Sequence, residues 1–206
     1  AVRAGKADFE LLTALYEAAG GAVALVSGRP IAGIHQIFRP AKLPAGGQHG
    51  VERRDARGRV HRHAVSTGPW EAAVGPLREY AALHEGLIFE DKGLSLALHY
   101  RLAPEMENDV RAMLEAAAAR LGPSFEVLPG KMVFELRPGG RDKGVAIEEF
   151  LHERPFAHRV PVFLGDDVSD EYGFTVVNRL GGHSVKVGAG PTAARWSVPD
   201  PAAARA

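Results

Sequence analysis

Apolar positions along the chain fall into short runs and helical stripes, and their spacing changes character twice. Residues Phe9 to Ala19 carry a helical stripe, with Asp8 placed to cap it and Gly20-Gly21 placed to stop it. The run Ala22-Val23-Ala24-Leu25-Val26 predicts a buried strand. Ser27-Gly28-Arg29-Pro30 then opens a second helix with Ile31, Ile34, Ile37 and Phe38 on one face, and proline suits its first turn. In the middle, Trp70 to Leu83 predicts a helix, and Leu94 to Tyr100 alternates as a strand with one wet face should. A helix from about Pro104 to Leu121 and strands near Phe125–Leu128 and Met132–Leu136 come next. Beyond the turn Arg137-Pro138-Gly139-Gly140, Asp142 caps a helix through His152. The apolar run Val160 to Leu164 predicts a short buried strand, Ser169 starts a helix reaching Leu180, and Ser184 to Val187 forms another strand. The alanine-rich tail after Pro199 is expected to fray.

This order predicts an α/β protein in which strand–helix alternation flanks an α+β insertion. The junctions fall near residues 66 and 140, giving a core from 1–66 and 140–206 and an insertion over 67–139. Lys plus Arg equals 25 and Asp plus Glu equals 25, so no overall field favours nucleic acid or an anionic membrane, and neither is expected as a partner. The absence of cysteine excludes disulfides and thiolate metal sites, which fits a reducing cytoplasm. No apolar stretch approaches the ~18 residues of a membrane span, and the first residues do not form a secretory signal, so a soluble protein is expected.

Three places carry candidate chemistry. Gly165-Asp166-Asp167-Val168-Ser169-Asp170-Glu171 puts four carboxylates into six residues just where a strand gives way to a helix. Carboxylates this close repel one another, and a hard divalent cation relieves that conflict. Open α/β sheets bind their ligands at such strand ends. Ser27-Gly28 occupies a corresponding edge, offering a hydroxyl, an unobstructed glycine amide and a helix start that can receive phosphate. Lys143 sits in the first turn of a helix, where a cation gains nothing from the dipole, which hints at an anionic partner. Each taken alone has a plainer reading, as an acidic turn, a serine cap or a solvated lysine. Hydroxyl, lysine and acid cluster in this order are what point to phosphate chemistry. The pair His61-x-His63 offers a weaker metal alternative, with no carboxylate at a matching offset.

That order resembles the trehalose-6-phosphate phosphatases, a branch of the haloacid dehalogenase superfamily, over nearly all 206 residues. The matching stretches are Leu25 to Arg29, Gly47 to Arg54, Lys92 to Arg101, Gly130 to Pro138, Lys143-Gly144, Phe163 to Glu171 and Val176 to Gly182. The resemblance implies a Rossmann-like core with an inserted cap, and Mg2+-dependent hydrolysis of trehalose 6-phosphate to trehalose and phosphate. It implies catalytic roles for Ser27, Lys143 and Asp167, and a metal site at Asp166 and Asp170, with Asp167 and Asp170 alternatively serving as acceptors that orient Lys143. Gly28, Arg29, His49, Glu90, Lys92, Arg101 and Glu135 would then bind the small-molecule sugar phosphate. Glu135 could equally be a structural partner of Lys92 or Lys131.

The chain departs from the family pattern at one point. Members begin with an Asp-x-Asp-Gly-Thr strand end, whose first aspartate is phosphorylated and whose second is the general acid/base. No such motif precedes Ser27 here, where the early acids Asp8, Glu10 and Glu17 all fall in the first helix. We therefore expect a fragment of a phosphatase, nearly inactive by itself, with an unpaired sheet edge where a central strand would run. A phosphatase for another sugar phosphate and a non-catalytic sugar-phosphate binder are the alternatives.

Overall fold

Gly20 and Gly21, with φ of 55° and 85°, close the first helix by a left-handed turn in which the Gly21 amide donates to the Tyr16 carbonyl. The structure is a computed structural model that describes residues 4–39, 41–62 and 67–205, without the side chains of residues 67 and 68. The chain divides into two units, residues 1–62 with 141–206, and residues 63–140. The junction near 66 and the residue His63 lie outside the described residues.

The first unit begins with α1 (Lys6–Ala18), β1 (Leu25–Val26), α2 (Ile31–Ile37), β2 (Ala45–Gly47), β3 (Glu52–Arg54) and β4 (Val60–Arg62). The second unit holds α3 (Thr67–Leu83), β5 (Ile88–Asp91), β6 (Leu96–His99), α4 (Glu107–Leu121), β7 (Phe125–Gly130) and β8 (Val133–Pro138). The chain then returns to the first unit with α5 (Lys143–Leu151), β9 (Val162–Gly165), α6 (Asp170–Arg179), β10 (His183–Val187) and β11 (Trp196–Val198). Among the described residues, no helix is long and apolar enough to cross a membrane.

In the first unit, β1 pairs parallel with β2, and β3 and β4 continue the sheet antiparallel, in the order β1-β2-β3-β4. A second, wholly parallel sheet runs β11-β10-β9. Ile31, Ile34 and Ala45 form a small buried cluster under α2. Helices α5 and α6 pack on each other, and Ala146, Phe150, Phe174 and Val177 are buried. Asp142 caps α5 as expected, its carboxylate accepting from the Val145 amide at 2.9 Å.

The second unit is an antiparallel sheet in the order β5-β6-β8-β7, with α3 and α4 laid on one face. Leu96, Leu98, Phe134 and Leu136 meet Trp70, Val74, Leu77, Val110 and Leu114 in its core. Register places Glu90, Ala97 and Glu135 opposite one another on the other face.

Several expectations need correction. The first strand is only Leu25–Val26, because the chain from Ala22 to Ala24 makes no ladder. Asp8 is not the cap of α1; the helix starts at Lys6, and Asp8 accepts from the Gly5 amide at 2.8 Å. The 160–164 run is not buried, since β9 is an edge strand and Val160, Val162 and Leu164 remain exposed. The strand Leu96–His99 has no wet face over its first three residues, all of them buried. The tail does not fray through Arg205, whose guanidinium reaches Asp8 Oδ1 at 2.8 Å. The β2–β4 ribbon, β5 and β11 were not anticipated.

Replacing Asp142 with alanine should lower the unfolding free energy by about 1 kcal/mol, the usual worth of a helix cap. A urea midpoint unchanged from the parent chain would contradict that.

Candidate active site

Lys143 is the first residue of α5 and is only 6% exposed. A buried ammonium is costly unless paired. Its partner is Asp170, the first residue of α6, with Nζ donating to Oδ1 at 2.7 Å. The anion hinted at by a cation against the helix dipole is thus in the protein itself. Asp170 is also 4% exposed, and its other oxygen, Oδ2, accepts from the amides of Asp166 at 3.0 Å and Asp167 at 2.9 Å. One carboxylate therefore fixes the lysine and folds the acid loop. Gly165 permits this fold, because a Cβ there would lie 2.4 Å from Asp170 Cγ.

The two acids ahead of it face outward. Asp166 is exposed, and its carboxylate accepts no hydrogen bond from any described residue. Asp167 is exposed as well, with Oδ1 taking the Val168 amide at 2.7 Å and Oδ2 lying 3.4 Å from Ser169 Oγ. Sequence reasoning paired Asp166 with Asp170 as metal residues. Both oxygens of Asp170 accept hydrogen bonds within the protein, whereas the carboxylate of Asp166 is outward and accepts none from the described residues.

Ser27 comes directly after β1 and is half-buried, its hydroxyl oxygen accepting from the Arg29 amide at 3.1 Å. The Ser27 carbonyl accepts from the His49 amide at 3.1 Å, and the Arg29 carbonyl accepts from the Gln48 amide at 3.0 Å. Gln48, His49 and Gly50 have φ of 47°, 55° and 93°, a left-handed turn that puts the His49 ring against Gly28. A Cβ on Gly28 would come within 2.5 Å of His49 Nε2, so the close approach requires glycine. Gly50 in turn abuts the start of α5: a Cβ there would lie 2.5 Å from the Asp142 carbonyl oxygen, and Arg141 Nε donates to the Gly50 carbonyl at 2.9 Å. Contacts thus run without a break from Ser27 and Gly28 through His49 and Gly50 to Lys143, Asp170, Asp166 and Asp167.

One amide of this corner is already taken: Ile31, at the start of α2, donates to Glu52 Oε1 at 2.6 Å, so it is not available to phosphate. Glu52 is 4% exposed and also faces Gln48 Nε2 at 3.5 Å and Arg62 Nε at 3.4 Å. Arg29 is exposed. Sequence reasoning missed the role of Glu52, although it lies inside the Gly47–Arg54 stretch that carries the family resemblance. It also missed Lys186, 7% exposed, whose Nζ donates to the Asp166 carbonyl at 2.6 Å. The only signal was a lone lysine in the apolar run of β10.

The remaining candidates lie in the second unit. Lys92 Nζ is 3.4 Å from Glu135 Oε1, with both side chains largely buried, and Glu90 Oε2 is 3.0 Å from His99 Nε2. Register puts Glu90 and Glu135 on one sheet face, flanking Ala97. Arg101 stands apart from that group, exposed and reaching the Lys131 carbonyl at 3.5 Å. In the first unit, His61 is engaged by Asp55, with Nε2 2.9 Å from Oδ2. Among the described residues no group of three His, Asp or Glu side chains is arranged to cage a metal. Mg2+ needs no such cage, being held by one or two carboxylates with water and phosphate oxygens. The outward carboxylate of Asp166 fits that demand.

A family model for trehalose-phosphatase matches residues 6–202. The chain belongs to the trehalose-phosphatase family. It is 46% identical over 169 residues to a probable trehalose-phosphate phosphatase of Sinorhizobium fredii, covering 82% of this chain and 63% of that relative. It is 43% identical over 192 residues to a trehalose-6-phosphate phosphatase of Escherichia coli, covering 92% of this chain and 72% of the relative. The chain thus spans between about three-fifths and three-quarters of these trehalose-phosphatase relatives. Among solved structures, a trehalose-6-phosphate phosphatase related protein matches with a TM-score of 0.78 at 27% identity, covering 98% of this chain and 85% of that one. A haloacid dehalogenase-like hydrolase of B. subtilis matches with a TM-score of 0.71 at 13% identity, covering 98% and 92%, and shares the fold. The haloacid dehalogenase-like α/β fold expected from the sequence is therefore the fold of this trehalose-phosphatase chain.

Replacing Asp170 with alanine should cost about 3–5 kcal/mol in unfolding free energy, because it strands a buried lysine. Replacing Asp166 with alanine should change stability by less than about 0.5 kcal/mol. Equal urea midpoints for the two variants would contradict this division of labour between the two aspartates.

Proposed function

We propose that the chain binds trehalose 6-phosphate, and that this family member serves its hydrolysis to trehalose and phosphate, the last step of trehalose biosynthesis. The observation that carries the reading is the Lys143–Asp170 pair set beside the outward carboxylate of Asp166 at the end of β9. Phosphoryl transfer asks a protein chiefly for positioning and charge stabilisation, and such an arrangement supplies both. Ser27 donates its hydroxyl proton to a phosphoryl oxygen, and Lys143, held by Asp170, neutralises the phosphoryl charge. Asp166 holds Mg2+, which when bound would draw off charge from the phosphoryl oxygens. Asp170 acts through Lys143 and the loop amides, so the metal role expected of both acids passes to Asp166 alone. Asp167 shapes the loop through its bond to the Val168 amide.

The sugar is read by polar groups of the second unit, Glu90, Lys92, Arg101 and Glu135. A site that hydrogen-bonds hydroxyls rejects analogues lacking them, because its own polar atoms are left unpaired. His49 and Gly28 set the geometry of the serine corner, and Arg29 adds a cation at its rim. The division of the chain into a core of 1–66 and 140–206 and an inserted unit of 67–139 belongs to the same proposal, as does action in the cytoplasm.

No Asp-x-Asp pair precedes Ser27 in the 206 residues, and the first aspartate of that pair is the group that would accept the phosphoryl. Loss of a covalent nucleophile costs on the order of 10^4–10^6 in rate. The 206-residue chain should therefore bind trehalose 6-phosphate in calorimetry with Mg2+ and release almost no phosphate. Turnover in the ordinary enzymatic range, about 1–10^3 s⁻¹, would refute this account of the chain. A phosphatase for another sugar phosphate would show the preference in the same titration.

Two substitutions separate the proposed roles. Asp166→Asn should weaken Mg2+ binding about tenfold or more while leaving the urea midpoint unchanged. Glu135→Ala should weaken trehalose 6-phosphate about tenfold and leave inorganic phosphate within about twofold. Equal losses on both ligands would remove Glu135 from sugar recognition.

A further inference from the structure

Lys186 stands out because it is 7% exposed and forms no ion pair with any described residue. Lysine is almost never this deeply buried without a partner. It sits on β10 in register with Gly165, one residue before the acid loop, and its Nζ donates to the Asp166 carbonyl at 2.6 Å. That carbonyl belongs to the same planar peptide unit as the Asp167 amide. The Asp167 amide donates to Asp170 Oδ2 at 2.9 Å, and Asp170 Oδ1 accepts from Lys143 at 2.7 Å. One peptide plane is therefore gripped at both ends, by an ammonium at its oxygen and by a carboxylate at its nitrogen. Hydrogen bonds in such a row polarise and strengthen one another. The row has a cation at each end, Lys186 and Lys143. The acid loop carries Asp166, Asp167, Asp170 and Glu171, so the second cation offsets carboxylate charge where a phosphate must approach.

We propose that Lys186 is a positioning residue of the phosphate site, clamping the Asp166–Asp167 peptide and supplying a second positive charge that raises affinity for a phosphoryl anion. The proposal rests on the reading of Ser27, Lys143 and Asp166 as a phosphate site. A lysine serving only to fill the sheet would support the stability of β10 and leave phosphate affinity unchanged.

The test uses the 206-residue chain with inorganic phosphate at saturating Mg2+, in four forms: unsubstituted, Lys186→Met, Lys186→Gln and Lys186→Arg. Two quantities are read, the hydrogen-exchange rates of the Asp166 and Asp167 amides and the phosphate dissociation constant. The methionine variant should exchange those two amides about tenfold faster or more, and bind phosphate about tenfold more weakly, the effects expected of a lost charge-assisted hydrogen bond. Arginine should restore both to within about threefold, since it keeps donor and charge. Glutamine should slow the exchange toward the parent rate without recovering phosphate affinity, because it donates without charge. Parent-like exchange at Asp166 and Asp167 in Lys186→Met would overturn the clamp. Faster exchange across all of β9 and β10 with unchanged phosphate affinity would also overturn the proposal, in favour of a purely structural lysine. If the unsubstituted chain bound no phosphate while the exchange difference persisted, the phosphate-site reading would fall and the clamp would stand.

Discussion

The carboxylate of Asp170 is the interaction on which the rest of this site depends. It is buried, it sits at the first residue of α6, and it divides its two oxygens between a lysine side chain and two loop amides. Each of those partners needs it. Without it Lys143 would be a buried charge with no counter-ion, and the amides of Asp166 and Asp167 would be unsatisfied at a tight turn. The helix start reinforces the arrangement, since a negative group there meets the positive end of the dipole. Outside this network stands Asp166, its carboxylate turned outward at the end of an edge strand. The loop thus sorts four similar acids into different tasks by burial and by donor supply.

A second constraint joins this cluster to the serine corner. Three consecutive residues, Gln48, His49 and Gly50, adopt positive φ, which only Gly50 does without strain. Non-glycine residues in that region need surroundings that over-determine them. Here the surroundings are visible: the His49 amide binds the Ser27 carbonyl, the imidazole lies on Gly28, and Gly50 seats against the Asp142 carbonyl with its own oxygen held by Arg141. The strained turn thereby brings the end of β1 to the start of α5. The charge network of Arg53 with Glu149 and Glu153, and of Arg141 with Glu149, fastens the same ribbon to α5 farther along.

Much of this was legible in the residues before any coordinates. The Asp142 cap, the α4 and α6 helices and the strands β6, β7 and β8 of the insertion announce themselves through caps, periodicity and glycine stops, all of them local signals. The acid loop was readable as a site because carboxylates that crowd together need an explanation. What escaped reading was tertiary. Nothing in the sequence distinguishes Asp170, which is buried and fully engaged, from Asp166, four residues earlier and exposed. The lysine in the first turn of α5 did mark an anionic partner, but whether that partner was ligand or protein depends on how α5 meets α6. Glu52 was hidden for the same reason, since its target amide on Ile31 lies 21 residues away. The short β2–β4 ribbon was missed because Ala45-Gly46-Gly47 carries no strand pattern; it forms through its pairing with β1 and β3. Lys186 was passed over as one residue of a predicted strand; β10 is the central strand of its sheet and buries it.

The central claim is that Ser27, Lys143 and Asp166 act on one phosphoryl group in a member of the trehalose-phosphatase family. A crystal structure of the chain grown with Mg2+ and inorganic phosphate tests it most directly. The account predicts a phosphate oxygen within hydrogen-bonding distance of both Ser27 Oγ and Lys143 Nζ, and a metal ion on the Asp166 carboxylate with Asp170 still bound to Lys143. Phosphate bound away from Ser27 and Lys143, or a metal ion that displaces Lys143 from Asp170, would contradict it.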